Sequence, residues 1–296
     1  MIDSLDLEDA AKTLASSEDY RVLRRLVLTK KTNEKLSREK LVAIVLDVET
    51  TGLDPEFDEV IELAMIKFNF DRSGQIGKTI ATYQSLNQPQ ISITQSISSL
   101  TGITNEMVAG KNILETEVET FISNAAIIIA HNAAFDRPFC EKICPAFTSY
   151  AWGCSATEIP WRDEGISGSR LEYIAQSYNL FYDAHRASND CEAVLQILSM
   201  QMPRSQQSVM GALLESARRV ETRIFATGAP FELRIPLKRR GYRWNGSLNQ
   251  FPRAWWRDMA PADVEGELLF LQALDAGIKP QTWPRTARDR FRILPG

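Results

Sequence analysis

Residues 41–53 read Leu-Val-Ala-Ile-Val-Leu-Asp-Val-Glu-Thr-Thr-Gly-Leu. Six apolar residues with a β-branched bias precede Asp47, and this pattern predicts a buried central strand that ends at a charge. Side chains two positions apart on a strand point the same way, so Asp47 and Glu49 share one side. Adjacent carboxylates repel each other unless a proton or a cation intervenes, and a hard divalent ion is a natural partner. The alternative for this motif alone is a solvated strand end followed by a Thr-Thr-Gly turn.

The sequence around this strand predicts an α/β domain. Apolar periodicity indicates strands at 60–70, 76–85 and 125–130, and helices at 115–124, 133–143, 170–178 and 188–200. Residues 71–74 read Asp-Arg-Ser-Gly, which is typical of a hairpin turn. A run of strands followed by strands that alternate with helices indicates a mixed sheet flanked by helices.

The chain divides into four predicted segments. They are a short N-terminal helical extension at 1–39, a main domain at 40–201, a polar linker at 202–210 and a small α+β module at 211–296. Within the extension, residues 5–14 and 20–27 have helical spacing. Within the module, we expect a helix at 211–225, short strands and turns at 234–259, and an amphipathic helix at 262–276.

Composition excludes some classes of protein. Hydrophobic residues make up 44% and charged residues 24% of the 296 residues, as in ordinary soluble proteins. The longest apolar runs are strand-sized, so we expect no membrane span, and the acidic N-terminus does not resemble a secretory signal. The four cysteines form no CxxC pair and there are only two histidines, so we expect free thiols in a reducing cytoplasm rather than a zinc cluster.

The net charge of −4 conceals an uneven distribution. Residues 1–205 contain 19 Lys and Arg against 29 Asp and Glu, whereas residues 206–296 contain 15 against 9. The basic C-terminal part is therefore the better candidate for contact with phosphates.

Two further motifs place carboxylates at predicted helix starts. Residues 131–136 read His-Asn-Ala-Ala-Phe-Asp and follow a buried strand, where open α/β sheets commonly carry their sites. Residues 185–190 read His-Arg-Ala-Ser-Asn-Asp and lead into another helix. Taken alone, each is explained by an N-cap residue or a first-turn carboxylate that the helix dipole stabilises. Together with Asp47 and Glu49, they favour a single acidic cleft.

These three motifs, in this order and at this spacing, resemble the DEDD exonuclease superfamily. The resemblance covers about residues 40–200, and it is to the histidine-containing branch that includes the proofreading epsilon subunit of bacterial DNA polymerase III. It implies a ribonuclease-H-like fold and hydrolysis of nucleic acid in the 3′→5′ direction.

The resemblance also implies roles for individual residues. Two Mg²⁺ or Mn²⁺ ions, which suit all-oxygen ligation, would be held by Asp47, Glu49, Asp136 and Asp190. His185 would be the general base, since histidine titrates near neutral pH, and His131 is expected to hydrogen-bond the backbone. The family's contacts with the terminal nucleotide fall on Thr50, Thr51, Leu53, Leu100, Thr101, Asn132 and Phe135. Thr101 stands where the family usually has a histidine.

The C-terminal module contains an aromatic and basic segment. Its candidate nucleic-acid contacts are Lys238, Arg239, Arg240, Arg243, Trp244, Trp255 and Trp256. Tryptophan interleaved with arginine suits stacking on bases and contact with phosphates. The alternative is that the aromatic side chains form the core of a small module.

The sequence therefore predicts a 3′→5′ DNA exonuclease that releases nucleoside 5′-monophosphates in repair, proofreading or DNA turnover. One alternative is an RNA or oligoribonucleotide exonuclease of the same branch, because discrimination against the 2′-hydroxyl depends on contacts outside the motifs. A second alternative is a non-catalytic nucleic-acid-binding or polymerase accessory subunit. The expected partners are single-stranded DNA or DNA 3′ ends, with RNA and a polymerase or repair protein as further candidates.

Overall fold

The computed structural model describes residues 4–28, 40–246 and 251–292. The part of the predicted N-terminal extension at 29–39 lies outside the described residues. Among the helices within those ranges, none combines the length and the apolar character that crossing a membrane requires.

The described residues form strands and helices in the following order. The strands are β1 (Arg24–Arg25), β2 (Leu41–Thr50), β3 (Val60–Phe70), β4 (Ile76–Leu86), β5 (Ile127–Ala130), β6 (Trp152–Cys154), β7 (Leu180–Phe181), β8 (Glu221–Ala226), β9 (Arg243–Trp244), β10 (Trp255–Met259) and β11 (Gln281–Arg285). The helices are α1 (Ser4–Ala15), α2 (Gln95–Thr101), α3 (Asn105–Val108), α4 (Glu115–Ile122), α5 (Ala133–Ile143), α6 (Leu171–Ser177), α7 (Ala187–Leu198), α8 (Val209–Arg218), α9 (Arg234–Arg239) and α10 (Val264–Leu274).

A mixed five-stranded sheet forms the centre of the molecule, with strand order β4-β3-β2-β5-β6. The first three strands are antiparallel, and β5 and β6 run parallel to β2. Alternate residues of β2 pack on opposite faces: Val45 joins the cluster that contains α7, and Ile44 joins the cluster that contains α4 and α5. The predicted mixed sheet flanked by helices, similar to the ribonuclease-H fold, is confirmed.

The predicted hairpin between β3 and β4 is confirmed. Asp71 orders its turn by accepting hydrogen bonds from the backbone N–H groups of Ser73 and Gln75, at 3.0 and 3.1 Å. Gly74 has a φ of 87°, a conformation that residues with a Cβ rarely adopt.

The helix predicted at 20–27 is wrong. The chain is extended there, and β1 pairs in parallel with β7. The backbone N–H of Arg24 donates to Asn179 and that of Leu26 donates to Phe181. Helical spacing of the apolar residues is a local pattern, and a pairing partner far along the chain overrides it.

Two predictions for the C-terminal module are also wrong in part. The helix predicted at 211–225 ends at Arg218, and Glu221–Ala226 is strand β8, which lies between β10 and β11. The region predicted as strands and turns from 234 begins instead with helix α9. The partners of β8 come from distant parts of the chain, so local periodicity does not reveal this strand.

A C-terminal arm, which we define as residues 286–292, returns from the module to the main sheet. The backbone N–H of Trp152 on β6 donates to Ala287 at 2.9 Å. The fully buried guanidinium of Arg137 donates to the carbonyl oxygens of Arg288 and Arg290, at 2.8 and 2.6 Å. The arm therefore hydrogen-bonds to β6, the edge strand of the main sheet, and contacts α5 directly.

The division into domains at 202–210 stays a prediction. Helix α8, which follows this segment, packs in the same hydrophobic cluster as α7, with Leu213 fully buried. The segment itself contributes the buried Met202.

Candidate active site

The carboxylates predicted from the motifs lie together at the end of β2. One oxygen each of Asp47, Glu49 and Asp190 lies within 4.8 Å of the others. Asp136 lies on α5, which packs on the face of the sheet opposite to α7. Its Oδ1 accepts the backbone N–H of Val48 at 3.3 Å. Separate elements of the chain thus bring four acidic side chains to one place.

Asp190 is oriented by hydrogen bonds to both of its oxygens. The hydroxyl of Tyr182 donates to Oδ1 at 2.9 Å, and the backbone N–H of Arg186 donates to Oδ2 at 3.2 Å. These donors fix the carboxylate before any ligand is bound.

Burial and mutual repulsion shift the titration of these acids. Burial raises the pKa of Asp47 well above its usual range, and the charges of Asp136 and Asp190 add to the effect. Burial and the charge of Asp190 raise the pKa of Glu49 to about 8. Burial also raises the pKa of Asp136, to about 7, and that of Asp190. Such a set of oxygens fits a divalent cation, because the cation would relieve the repulsion that raises these pKa values.

The two histidines differ in their surroundings. Both nitrogens of His131 are engaged: Nε2 lies 2.7 Å from the carbonyl oxygen of Ser169, and Nδ1 lies 2.8 Å from the hydroxyl of Ser155. A carbonyl only accepts, so Nε2 carries the proton and Nδ1 accepts from the serine. The imidazole of His185 is half exposed, with Nε2 3.8 Å from Glu172.

A cleft of about 470 Å³ opens over the carboxylates. Its lining includes both histidines and the four acids, together with Leu53, Asn132 and Phe135 from the predicted substrate contacts. It also includes Arg170 and Glu172, which the motif analysis missed, since neither belongs to a motif.

The other predicted substrate contacts are not among the residues that line the cleft in the described part of the chain. Thr101 is buried, and its hydroxyl donates to Ile97 and accepts the backbone N–H of Ile103, so it serves the end of α2. The hydroxyls of Thr50 and Thr51 bond to the adjacent turn, at Gly52 and Asp58. Leu100 is 53% exposed at the end of α2.

The residues of the aromatic and basic segment of the module lie in different environments. Trp255 belongs to the module's hydrophobic core, and Arg240 forms a salt bridge with Glu267 at 2.9 Å. The ring of Trp256 lies beneath two guanidinium groups, at 3.7 Å from Arg223 and 5.6 Å from Arg243. In contrast, Trp244 is 49% exposed, and Lys238 and Arg239 are exposed.

A mixed sheet with acidic side chains gathered at the end of its central strand is the arrangement expected of a DEDD nuclease. A family model described as exonuclease (RNase_T) matches residues 44–198, more than half of the chain. The chain therefore belongs to this exonuclease family, a class of phosphodiester hydrolases, and the predicted resemblance to the DEDD superfamily is confirmed.

The chain is similar to part of much longer proteins. It is 35% identical over 172 residues to the DNA polymerase III PolC-type protein of Thermotoga petrophila, a match to 54% of this chain and 12% of that protein. It is 35% identical over 168 residues to the PolC-type protein of Staphylococcus aureus, a match to 52% of this chain and 11% of that protein.

Solved structures of exonuclease I share the fold. A structure described as suggesting how processivity is achieved gives a TM-score of 0.50 at 16% identity, covering 82% of this chain and 62% of that chain. The zinc-bound form of the Escherichia coli exonuclease I complex with single-stranded DNA gives a TM-score of 0.50 at 13% identity, covering 74% and 63%.

The raised pKa values predict a specific pH dependence of stability. Between pH 4.5, the ordinary pKa of glutamate, and about 8, the folded chain retains protons on Glu49 that the unfolded chain releases. Asp136 behaves in the same way up to about pH 7. In chelator, the melting temperature should therefore fall by several degrees as pH rises from 5 to 8, and Mn²⁺ should restore it more at pH 8 than at pH 5.

Calorimetry of the chain and of a Glu49→Gln variant checks this prediction. The variant removes one titrating acid, so its metal-free melting temperature should depend less on pH. An equal pH dependence in the two proteins would contradict the assignment of the effect to the cleft.

Proposed function

We propose that this chain is a 3′→5′ exonuclease that hydrolyses DNA from its 3′ end and releases nucleoside 5′-monophosphates. The observation that carries the proposal is the convergence of Asp47, Glu49, Asp136 and Asp190 on one cleft that also contains His185. DNA is the proposed polymer because the similar PolC-type proteins are DNA polymerases by name. A role in repair, proofreading or DNA turnover, a polymerase or repair partner and a cytoplasmic location stay predictions.

The four acids would hold two divalent ions, Mg²⁺ or Mn²⁺. Bound there, the ions supply an activated water and stabilise the leaving 3′-oxygen. Within the chain, the hydrogen bonds from Tyr182 and Arg186 keep Asp190 aimed at this position.

His185 would accept the proton of the attacking water. Its imidazole is half exposed at the cleft and so has room to exchange that proton with solvent. Leu53, Asn132 and Phe135, which line the same cleft, would contact the terminal sugar and base, and the ring of Phe135 can stack on any base. Contacts of Thr50, Thr51, Leu100 and Thr101 with a nucleotide stay predictions, since these residues are not among those that line the cleft.

The direct test uses end-labelled single-stranded DNA, duplex DNA and RNA, each incubated with Mg²⁺ and then with chelator. Labelled 5′-mononucleotides from the 3′ end of DNA are expected with Mg²⁺ alone. Faster digestion of RNA would instead support the oligoribonucleotide exonuclease, and no digestion of any substrate would support the non-catalytic alternative.

Asp47→Asn is expected to lower turnover about a thousandfold or more, because it removes a metal-ligating carboxylate. The same change should raise the melting temperature of the metal-free protein, because it removes one of the repelling charges. Glu192→Gln, at an exposed position on α7, is the matched control and should leave both quantities unchanged. Loss of cooperative unfolding in Asp47→Asn would show instead that Asp47 is needed for folding.

The two histidines should respond differently to substitution. His185→Ala is expected to reduce the single-turnover rate by about a hundredfold or more, as loss of a general base does. His131→Ala breaks the hydrogen bonds to Ser155 and Ser169, so it should lower the melting temperature and leave the rate largely unchanged. The reverse pattern would assign the base to His131.

We also propose that the module contacts the single strand through a subset of the predicted residues: Lys238, Arg239, Arg243 and Trp244. These side chains are exposed, whereas Trp255 and Arg240 are used within the module and Trp256 is covered by arginine. Glu267 is already paired with Arg240, so it does not offset the charges of Lys238, Arg239 and Arg243.

Trp244→Ala is expected to weaken binding of a labelled oligothymidylate of about 16 nucleotides by roughly tenfold, the size of one lost stacking contact. Arg239→Ala should reduce the salt dependence of binding by about one phosphate contact. Fluorescence anisotropy in chelator measures both without cleavage. Leu269→Ala and Lys279→Ala, exposed apolar and basic positions of the same module, are the controls, and equal losses in them would contradict the assignment.

A further inference from the structure

Glu62 on β3 is a fully buried carboxylate beside the acidic cleft. It pairs in register with Glu49 on β2, so the two side chains lie on the same face of the sheet. Its charge adds to that of the cluster, since burial and the neighbouring carboxylates, Glu62 among them, raise the pKa of Glu49. An apolar residue at this position would avoid both the repulsion and the desolvation.

The hydrogen bonds of Glu62 connect it to the start of α7. Its oxygens accept Nε and Nη2 of Arg186 at 3.2 and 2.9 Å, and the backbone N–H of Ala187 at 3.1 Å. Helix α7 has no N-cap hydrogen bond from its own flanking side chain. Glu62 supplies that acceptor from a neighbouring strand, and it fixes the residue before the helix through a bidentate ion pair.

Arg186 in turn connects this ion pair to both functional groups of the third motif. Its backbone N–H donates to Oδ2 of Asp190. His185, directly before it, has a φ of 65°, a left-handed conformation that a non-glycine residue adopts only when its surroundings impose it. Holding the side chain and the following amide of Arg186 therefore constrains the backbone on which His185 and Asp190 depend.

We propose that Glu62 is a positioning residue. By accepting hydrogen bonds from the Arg186 side chain and the first amide of α7, it sets the positions of the Asp190 carboxylate and the His185 imidazole. This inference rests on the proposed function for the role of those two groups. It assigns Glu62 and Arg186 to the nuclease site although neither touches the reacting atoms.

Gln84 provides a matched control on the same carboxylate. Its Nε2, on β4, donates to Oε1 of Glu62 at 2.8 Å and also lies 3.5 Å from Oγ of Ser188 on α7. Gln84→Ala removes one hydrogen bond from Glu62 and leaves its bonds to Arg186 and Ala187 in place. A purely structural role for the buried carboxylate predicts similar effects when any of its hydrogen bonds is lost, whereas positioning predicts an effect only when the bonds to Arg186 or Ala187 are lost.

The experiment compares Glu62→Gln, Arg186→Lys and Gln84→Ala in the full chain. Each is assayed for Mn²⁺ affinity by calorimetry without nucleic acid, for kcat and KM on single-stranded DNA, and for melting temperature. Glu62→Gln is expected to weaken Mn²⁺ binding and to lower kcat by about 10- to 100-fold, with KM changed less than about threefold. Arg186→Lys keeps the charge but loses the bidentate geometry, so it should show a smaller loss of the same kind. Gln84→Ala should leave Mn²⁺ affinity and kcat within about threefold.

Unchanged Mn²⁺ affinity in both Glu62→Gln and Arg186→Lys would overturn the proposal, as would an equal loss in Gln84→Ala. If Glu62→Gln does not fold, Arg186→Lys decides, because its side chain is 35% exposed and its substitution leaves no large cavity. Reduced Mn²⁺ affinity in a chain that cleaves no substrate would support the positioning role and reject the nuclease activity, so the two failures are distinguishable.

Discussion

Repulsion among the four acids at the end of β2 is the constraint on which the site depends. Two other buried or half-buried acids of the described chain, Glu158 and Glu267, are matched by Arg290 and Arg240. Within the described residues, none of the four cleft acids forms a salt bridge with a lysine or arginine. The positive charge that would neutralise these acids is therefore left for a ligand to supply. Burial without that charge keeps the pKa values of Glu49 and Asp136 raised. A protein selected for stability alone would have placed a cation of its own there.

The fold supplies this arrangement by approaching one strand end from both faces. β2 contributes two acids by simple alternation, α5 brings Asp136 from one face, and α7 brings Asp190 from the other. Each helix is fixed by apolar packing along its length, so its first turn is presented to the cleft with little freedom. The polar contacts of Tyr182 and Arg186 then make the final adjustment to Asp190. Strong packing energy thus holds like charges together that would otherwise separate.

Much of the main domain could be predicted from the sequence because its strands are long, apolar and bounded by clear turns. The three acidic motifs were predictable for a similar reason, since each lies at a change of local pattern. Features that depend on distant pairing were not: β1 with β7, and the central strand β8 of the module, have periodicity that also fits a helix. Glu62 was missed although it interrupts the apolar first half of β3, because its significance appears only when Arg186 is seen beside it. The basic segment was predicted as one patch, but strand alternation separates Trp255 from Trp256.

The C-terminal arm ties the module to α5, the helix that carries Asp136, and this contact determines how the module can be studied. Arg137 directly follows Asp136 on α5, and its buried guanidinium donates to two backbone carbonyls of the arm as well as to Glu141. Removing residues 206–296 would leave that charge without the two carbonyl acceptors, which is costly in a buried position, and would also strip α8 from the core around α7. A truncated chain would then lose activity for reasons unrelated to binding of nucleic acid. Point substitutions at exposed positions of the module avoid this confusion, because they leave both the arm and α8 in place.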